Sequence, residues 1–406
     1  MFSIASDSAK SVRYVLEHDH ADPNESIGPQ SALAFALTNE HLTQKLEIVK
    51  ALLAHGADPA SLRNPELNPP HRDSSVGDDS MLLSPPPTTT LEAMDPATRY
   101  FISRADAPQT RHLSTLLQKS LFRPLGGVRY DIVGQDQVFE QLFTVLNLHS
   151  RTLSVSPLVI LLCGPSGHGK SFLARRFGPL LGVPTHTVNV TTLRSTHDLW
   201  DSYSMSPYEE ITTRTLAQFL LENEGKRCVV VLDEIEKVEE PKVLYSLLMP
   251  WELGERVAGT CSPRAGHRHI DVRQVVWLGT SNIGHDFVFE FCETSSGMSV
   301  SHGEYLELAR LVRPRVSQSL GASLSSRVTT VLPFVPFTEA ELMAIATEAF
   351  YSLGGERAYF VSLDIVEHVS RKAIECYIPE EGARSLHRAI SSLLMDMPEF
   401  LEQSNK

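Results

Sequence analysis

Hydrophobic positions along the chain form two kinds of pattern. Between residues 158 and 332, short apolar runs alternate with segments that have helical periodicity. The runs span residues 158–163, 228–232, 275–278 and 328–332. Continuous apolar runs of about four to eight residues that alternate with helices are typical of a parallel sheet covered on both faces. The pattern therefore predicts an α/β domain built on a parallel sheet.

After residue 336 the pattern is helical only. Leu342, Ile345 and Ala349 recur at the spacing of one apolar helix stripe. We therefore predict a large α/β subdomain over residues 129–336 and a small helical subdomain over residues 337–406.

The N-terminal third is predicted to consist of three segments. Residues 64–90 are polar and rich in proline, which predicts a flexible linker. Residues 91–128 show a helical pattern and are predicted to be a connector, and residues 1–63 form a small helical module. Within this module, Ala-Asp-Pro steps at residues 21–23 and 57–59 lie 36 positions apart. The spacing resembles the ankyrin repeat, whose period is ~33 residues. With only about one and a half repeats, a plain pair of helical hairpins is the alternative.

Charge and cysteine content narrow the class of protein. The 406 residues include 36 Lys+Arg and 49 Asp+Glu, which gives a formal net charge of −13. Because an acidic chain is a poor match for phosphate backbones and anionic lipids, we expect neither nucleic acid nor a membrane as a partner. The five cysteines are widely spaced and form no CxxC pair, which argues against disulfides and a zinc site. Residues 1–20 lack the apolar segment of a signal peptide, so we expect a cytoplasmic location, with a mitochondrial one as the alternative.

A phosphate-binding motif follows the first apolar run. Residues 164–171 read GPSGHGKS and match the pattern GxxxxGK[ST] in full. In such a loop, backbone N–H groups turn inward onto phosphate oxygens, and the following helix N-terminus adds positive potential. Lys170 would reach the outer phosphates, and the Ser171 hydroxyl would bind Mg²⁺. The predicted contacts are Gly164, Pro165, Ser166, Gly167, His168, Gly169, Lys170, Ser171 and Phe172. The sequence thus predicts ATP and Mg²⁺ as ligands.

Polar residues also follow two later apolar runs. Asp233 and Glu234 come directly after residues 228–232. At the end of a parallel strand they would lie beside the ligand crevice, where Asp233 could bind Mg²⁺ and Glu234 could polarise the attacking water. Asn282, after the run at 275–278, could orient the water or a γ-phosphate oxygen. Taken alone, the two acids would more often cap a solvated helix, and Asn282 would be an ordinary turn residue. The phosphate loop some sixty residues before Asp233 favours the functional interpretation.

In combination, these motifs resemble those of an AAA+ ATPase module of the Clp/ClpB chaperone family, specifically its second ATPase ring. The matching segments are RYDIVGQ at 129–135, LDEIEK at 232–237, TSN at 280–282, SRV at 326–328 and GAR at 382–384. They occur in family order over about two thirds of the chain.

The resemblance implies further roles. Ile132 and Val133 would contact adenine, and Asn282 would act as a sensor of the γ-phosphate. Arg384 would touch the γ-phosphate within its own subunit, whereas Arg327 would reach the nucleotide of a neighbouring subunit. The active form would then be a ring, expected to be a homohexamer, that remodels unfolded or aggregated protein substrates.

The sequence also departs from the family. Where the family's pore loop has a tyrosine that grips the substrate, this chain has Met205, with Tyr203 and Tyr208 close by. The family's first ATPase ring and middle domain are missing, and the ankyrin-like module stands at the N-terminus as a possible site for a protein partner. The alternative is therefore a nucleotide-switched scaffold or signalling ATPase that uses the repeats for recognition and unfolds nothing.

Overall fold

The structure is a computed structural model that describes most of the chain. The described residues are 2–19, 21–27, 30–39, 41–63, 94–118, 120, 122–151, 156–204, 214–253, 255–258, 268–294 and 300–397. The predicted linker at 64–90 and the pore-loop residues Met205 and Tyr208 lie outside this set.

Strands occur in three groups. They are β1 Ser26–Ile27, β2 Gln30–Ser31, β3 Leu158–Cys163, β4 Thr185–Asn189, β5 Cys228–Asp233, β6 Glu255–Ala258, β7 Arg268–Asp271, β8 Val275–Thr280 and β9 Thr330–Pro333. β1 pairs with β2 and β6 with β7, each as an antiparallel hairpin. The other five strands form one sheet.

Helices connect and cover these strands. The α-helices span Phe2–Ala5, Ala9–His18, Ala32–Thr38, Lys45–Ala54, Pro96–Asp106, Pro108–Gln118, Leu125–Asp131, Asp136–Arg151, Lys170–Leu181, Thr196–Trp200, Leu216–Glu222, Lys242–Tyr245, Leu248–Leu253, His285–Thr294, His302–Leu320, Ala322–Ser325, Glu339–Gly354, Leu363–Glu375 and Ala383–Met395. None of the helices within the described ranges is both long and apolar enough to cross a bilayer.

The five-stranded sheet is parallel throughout, with strand order β4-β5-β8-β3-β9. Every residue of β3, β5 and β8 is buried, as expected for strands covered on both faces. The register pairs Leu162 with Thr280 and Leu232 with Gly279. The carboxyl ends of β5, β8 and β3 therefore lie side by side, at the edge where open α/β sheets bind ligands.

The predicted α/β fold class is confirmed. All four predicted apolar runs contribute to strands, namely β3, β5, β8 and β9. β4 was not predicted, because Thr185–Asn189 reads THTVN and contains no apolar run. Among the described strands, β4 lies at the edge of the sheet and pairs with β5 alone, so a less apolar sequence is tolerated there.

The chain divides into two compact units. Unit 1 contains residues 1–133, 339–378 and 383–406, and unit 2 contains residues 134–338 and 379–382. The division into five segments made from the sequence remains a prediction.

Unit 1 combines the N-terminal helices with the C-terminal ones. Leu342, Ile345 and Ala349 are buried, which confirms the predicted stripe on helix Glu339–Gly354. The core of this helical region consists of Ala346, Ala349, Phe350, Ala358, Val366, Val369, Ala373, Ile390 and Leu394. From the N-terminal side, Lys50 on helix Lys45–Ala54 places its Nζ 2.6 Å from Glu348 Oε1. The ankyrin resemblance of residues 1–63 remains a prediction.

Candidate nucleotide-binding site

The phosphate loop lies between β3 and helix Lys170–Leu181, and two of its glycines are required by close packing. A Cβ atom on Gly164 would lie 2.6 Å from the carbonyl oxygen of Phe334, and one on Gly167 would lie 1.9 Å from that of Glu381. Both glycines have positive φ, +121° and +74°, which other residues rarely adopt. The loop therefore keeps its course only with glycine at these positions.

Lys170 joins the phosphate loop to the end of β8. Its buried Nζ donates hydrogen bonds to the carbonyl oxygens of Gly164 at 2.8 Å and Pro165 at 2.6 Å, and to Asn282 Oδ1 at 3.0 Å. An ammonium group has three donors, and all three are engaged here, so Lys170 must exchange one of these contacts in order to donate to a phosphate oxygen that enters the loop. The structure thus brings together Lys170 and Asn282, which are 112 positions apart.

Asp233 is held by three donors from two elements, helix Lys170–Leu181 and β8. Its Oδ1 accepts from Ser171 Oγ at 2.8 Å and from Thr280 Oγ1 at 2.6 Å, and its Oδ2 accepts from Arg175 Nη2 at 2.7 Å. Burial alone would raise the pKa of Asp233, but the hydrogen bonds from Thr280, Arg175 and Ser171 hold this pKa below its ordinary value. Asp233 is therefore an anion in a nearly closed site.

This donor set fits a magnesium ion. The Ser171 hydroxyl and the Asp233 carboxylate lie within 2.8 Å of each other, and Mg²⁺ prefers such oxygen ligands. Bound there, the ion would neutralise charge on the phosphates of a nucleotide.

Glu234 has an unusual backbone conformation for its residue type. Its φ of 60° and ψ of 49° place it in the left-handed region, at a cost of about 1–2 kcal/mol for a residue other than glycine. Its N–H donates to Thr280 Oγ1 at 3.0 Å, which fixes this turn, and its Oε1 lies 2.8 Å from Lys237 Nζ. Residues in strained conformations are concentrated at active sites, and this one follows directly after Asp233.

Three residues of the site were given no role from the sequence. Thr280 and Arg175 bind Asp233, and Glu236 Oε1 accepts the backbone N–H of Asn282 at 2.9 Å. Arg175 lies four positions after Ser171 on the same helix, so the i, i+4 spacing could have indicated that both point towards Asp233. Thr280 and Glu236 had no comparable local signal.

Arg327 lies apart from this cluster, in the turn after helix Ala322–Ser325. Its Nε donates to Glu252 Oε2 at 3.1 Å, and its Nη1 donates to the Ser323 carbonyl at 2.5 Å. Within this chain the guanidinium is therefore engaged in an ion pair, and its action on a neighbouring subunit remains a prediction.

Three further predicted residues belong to unit 1. Ile132 and Val133 are buried at the end of that unit's first segment, and Arg384 is the second residue of helix Ala383–Met395. Their contacts with nucleotide remain predictions. Among the predicted site residues, the structure brings together Lys170, Ser171, Asp233 and Asn282, with Glu234 next to Asp233 in sequence.

Comparisons with known proteins cover the segment that carries this cluster. The family model described as "AAA domain (dynein-related subfamily)" matches residues 159–286, a segment that includes the phosphate loop, Asp233, Glu234 and Asn282. The chain carries an AAA+ ATPase domain. This AAA+ domain includes the central strands β3, β5 and β8.

Curated relatives are distant members of the Clp group. The ATP-binding subunit ClpX of the Clp protease from Porphyromonas gingivalis is 22% identical over 311 residues, which are 65% of this chain and 74% of that protein. The chaperone protein ClpB of Chlamydia pneumoniae is 27% identical over 194 residues, which are 46% of this chain but 21% of ClpB. The AAA+ domain and these relatives indicate an ATP-hydrolysing enzyme.

A solved structure supports the fold. Hsp104 in its closed state with ATPγS and FITC-casein superposes with a TM-score of 0.51 and 19% identity, over 73% of this chain and 51% of the Hsp104 chain. The chain therefore spans about half the length of that structure, and the similarity concerns the fold alone.

Proposed function

We propose that the protein is an ATP-dependent remodeller of other proteins that acts as a single-ring oligomer. The observation that carries this proposal is the cluster at the ends of β3, β5 and β8, where Lys170 bonds Asn282 and Ser171 bonds Asp233. The same residue types serve nucleotide hydrolysis in phosphate-loop ATPases. The similarity to ClpX and ClpB supports other proteins as the substrates on which this ATPase acts.

Each residue of the cluster receives a role. Lys170 binds the outer phosphates, while Ser171 and Asp233 hold Mg²⁺. Glu234 is the general base that orients and polarises the attacking water, and Asn282 positions that water or a γ-phosphate oxygen. Lys237 Nζ lies 2.8 Å from Glu234 Oε1, and because a carboxylate has two acceptor oxygens, Glu234 can keep this contact while it orients water.

The proposed ring follows from the negative charge that develops on the phosphates during hydrolysis. Hydrolysis develops negative charge that a rigid guanidinium stabilises well, and supplying it from a neighbour couples hydrolysis to assembly. Arg327 is proposed to act on the neighbouring subunit's nucleotide and Arg384 on its own, in a homohexamer. In that arrangement Arg327 must leave Glu252, an exposed ion pair of the kind that contributes only about 0–1 kcal/mol.

The substrate-gripping segment is proposed to run from Trp200 to Tyr208. At Tyr203 the chain pairs with Thr215 in an isolated antiparallel bridge. Trp200 is tied down, since its Nε1 donates to Ser246 Oγ at 3.1 Å, whereas Tyr203 is 55% exposed. Tyr203 is therefore the better candidate of the two for contact with a polypeptide.

The test combines ATPase activity with an unfolded protein. Wild-type protein should hydrolyse ATP faster when unfolded casein is added. Replacing Tyr203, Met205 and Tyr208 with Ala should keep the basal rate and remove this stimulation. Burial of each apolar side chain against the polypeptide contributes about 1.5–3 kcal/mol to substrate binding. The matched control is Tyr245→Ala, an exposed tyrosine outside the segment, which should leave stimulation intact. Absence of stimulation in the wild type would favour the scaffold function instead.

A further inference from the structure

His168 belongs to the phosphate-loop motif, but its ring is used elsewhere. The side chain is fully buried and stacks on Phe337, with ring centroids 4.6 Å apart and an angle of 14° between planes. The edge of a second ring, Phe289, approaches at 6.2 Å. Such aromatic pairs contribute about 0.5–1.5 kcal/mol beyond the area they bury. The phosphate-loop motif requires only the backbone of residue 168, so the imidazole ring has a separate role.

One nitrogen of the ring also holds the loop. His168 Nδ1 lies 2.7 Å from the carbonyl oxygen of Ser166, and because a carbonyl only accepts, Nδ1 carries the proton and donates it. Nε2 is then the unprotonated nitrogen, and it is buried without a hydrogen-bond partner. The ring is thus fixed in one neutral form, and it ties residue 166 to residue 168 across the loop.

A second segment packs against the same side of the loop. A Cβ atom on Gly382 would lie 2.7 Å from the backbone of Gly167 and 2.9 Å from His168 Nδ1. Phe337 and Gly382 each come just before a helix, Glu339–Gly354 and Ala383–Met395 respectively. Two chain segments distant in sequence therefore meet at the phosphate loop.

From this arrangement we propose that His168 is a positioning residue that holds the phosphate loop against Phe337 and Gly382, and so sets the rate at which nucleotide dissociates. The inference rests on the proposed nucleotide site. The loop must present its N–H groups while Lys170 moves from the carbonyls of Gly164 and Pro165 to phosphate oxygens. A loop held by these contacts keeps its N–H groups in place during this exchange, whereas a loosened loop releases phosphates sooner.

The experiment measures release of a fluorescent ADP analogue, mant-ADP, from the full-length protein by stopped flow. His168→Ala removes the stack and the hydrogen bond, so the dissociation rate should rise about 10-fold or more. Phe337→Leu removes only the stack and should give a smaller rise. His168→Phe keeps the stack, so its dissociation rate should lie close to that of the wild type.

The matched control is His186→Ala in the same unit. His186 is also buried, its Nε2 lies 3.1 Å from the Ser202 carbonyl, and its ring lies 5.3 Å from that of Phe219. This variant should lower stability but leave the dissociation rate unchanged.

The outcomes separate this inference from the proposed function. Equal dissociation rates in wild type, His168→Ala and Phe337→Leu would overturn the inference, as would an equal acceleration by His186→Ala. If wild type fails to bind mant-ADP, the nucleotide site itself is wrong and the inference is overturned with it. If the rates change as expected but no protein is remodelled, the inference stands and the proposed function fails.

Discussion

Lys50 forms a buried ion pair whose removal should destabilise unit 1. Its side chain is 8% exposed, and its Nζ lies 2.6 Å from Glu348 Oε1 and 5.1 Å from the centre of the Phe101 ring. The salt bridge connects a helix near the N-terminus with one near the C-terminus. Lys50→Met keeps most of the side-chain volume but removes the charge, so Glu348 is left without its nearest cation.

The expected loss can be derived from this geometry. Breaking a buried ion pair by removing one partner costs about 3–5 kcal/mol, because the remaining charge is uncompensated. The Glu348 side chain is 23% exposed, so water can recover part of this cost. We therefore expect the free energy of unfolding of unit 1 to fall by about 3 kcal/mol. Replacing both partners, as in Lys50→Met with Glu348→Leu, should recover most of the loss.

The assay must report on unit 1 separately, because a chain with two units does not have a single unfolding free energy. The three tryptophans, Trp200, Trp251 and Trp277, all lie in unit 2. Hydrogen exchange of helix Glu339–Gly354 reports on unit 1, and tryptophan fluorescence serves as the internal control. Arg371→Met, which breaks the exposed pair with Glu367 in unit 1, should cost about 0–0.5 kcal/mol. A change below about 1 kcal/mol for Lys50→Met would refute the view that this pair stabilises unit 1.

Three further predictions concern catalysis and pH. Glu234→Gln should bind ATP normally while hydrolysis in a phosphate-release assay falls by about 100-fold or more, since only the general base is lost; a near wild-type rate would exclude Glu234 from this role. Arg327→Ala should also bind ATP without hydrolysing it, and mixing it with Glu234→Gln subunits should restore some turnover; no recovery at any ratio would contradict a role between subunits. Burial lowers the pKa of His168 and of His186 to about 4, so only the unfolded chain gains protons as the pH falls from about 6.5 to 4. The stability of unit 2, followed by tryptophan fluorescence in denaturant, should then drop by up to about 1.4 kcal/mol per pH unit for each histidine, and an unchanged slope in His186→Leu would contradict this cause.

Local sequence patterns were sufficient for the central features of the fold and the site. Fully buried strands such as β3 and β5 need continuous apolar runs, and the phosphate loop needs glycines at fixed positions, so both could be predicted from short segments. β4 could not, because an edge strand tolerates the polar sequence THTVN.

Contacts between distant positions were beyond the sequence analysis. The Arg327–Glu252 ion pair joins residues 75 positions apart, and the Thr280–Asp233 hydrogen bond spans 47 positions. No periodicity within a helix or strand encodes such pairs, because they depend on which elements the completed fold places side by side. For the same reason the sequence identified His168 only as a loop residue and missed its contact with Phe337.

The Lys50–Glu348 ion pair cannot form until most of the chain has been synthesised. The two residues are 298 positions apart, and chains are synthesised at about 5–20 residues per second. After Lys50 emerges, roughly 15–60 s pass before Glu348 exists, while all of the main segment of unit 2 is translated in between. During this interval helix Lys45–Ala54 lacks helix Glu339–Gly354, which carries Glu348. Its residues Ile48, Val49 and Leu52 are buried in the finished protein. Released chains truncated after residue 338 should therefore contain a protease-resistant main segment of unit 2 beside a protease-sensitive N-terminal segment.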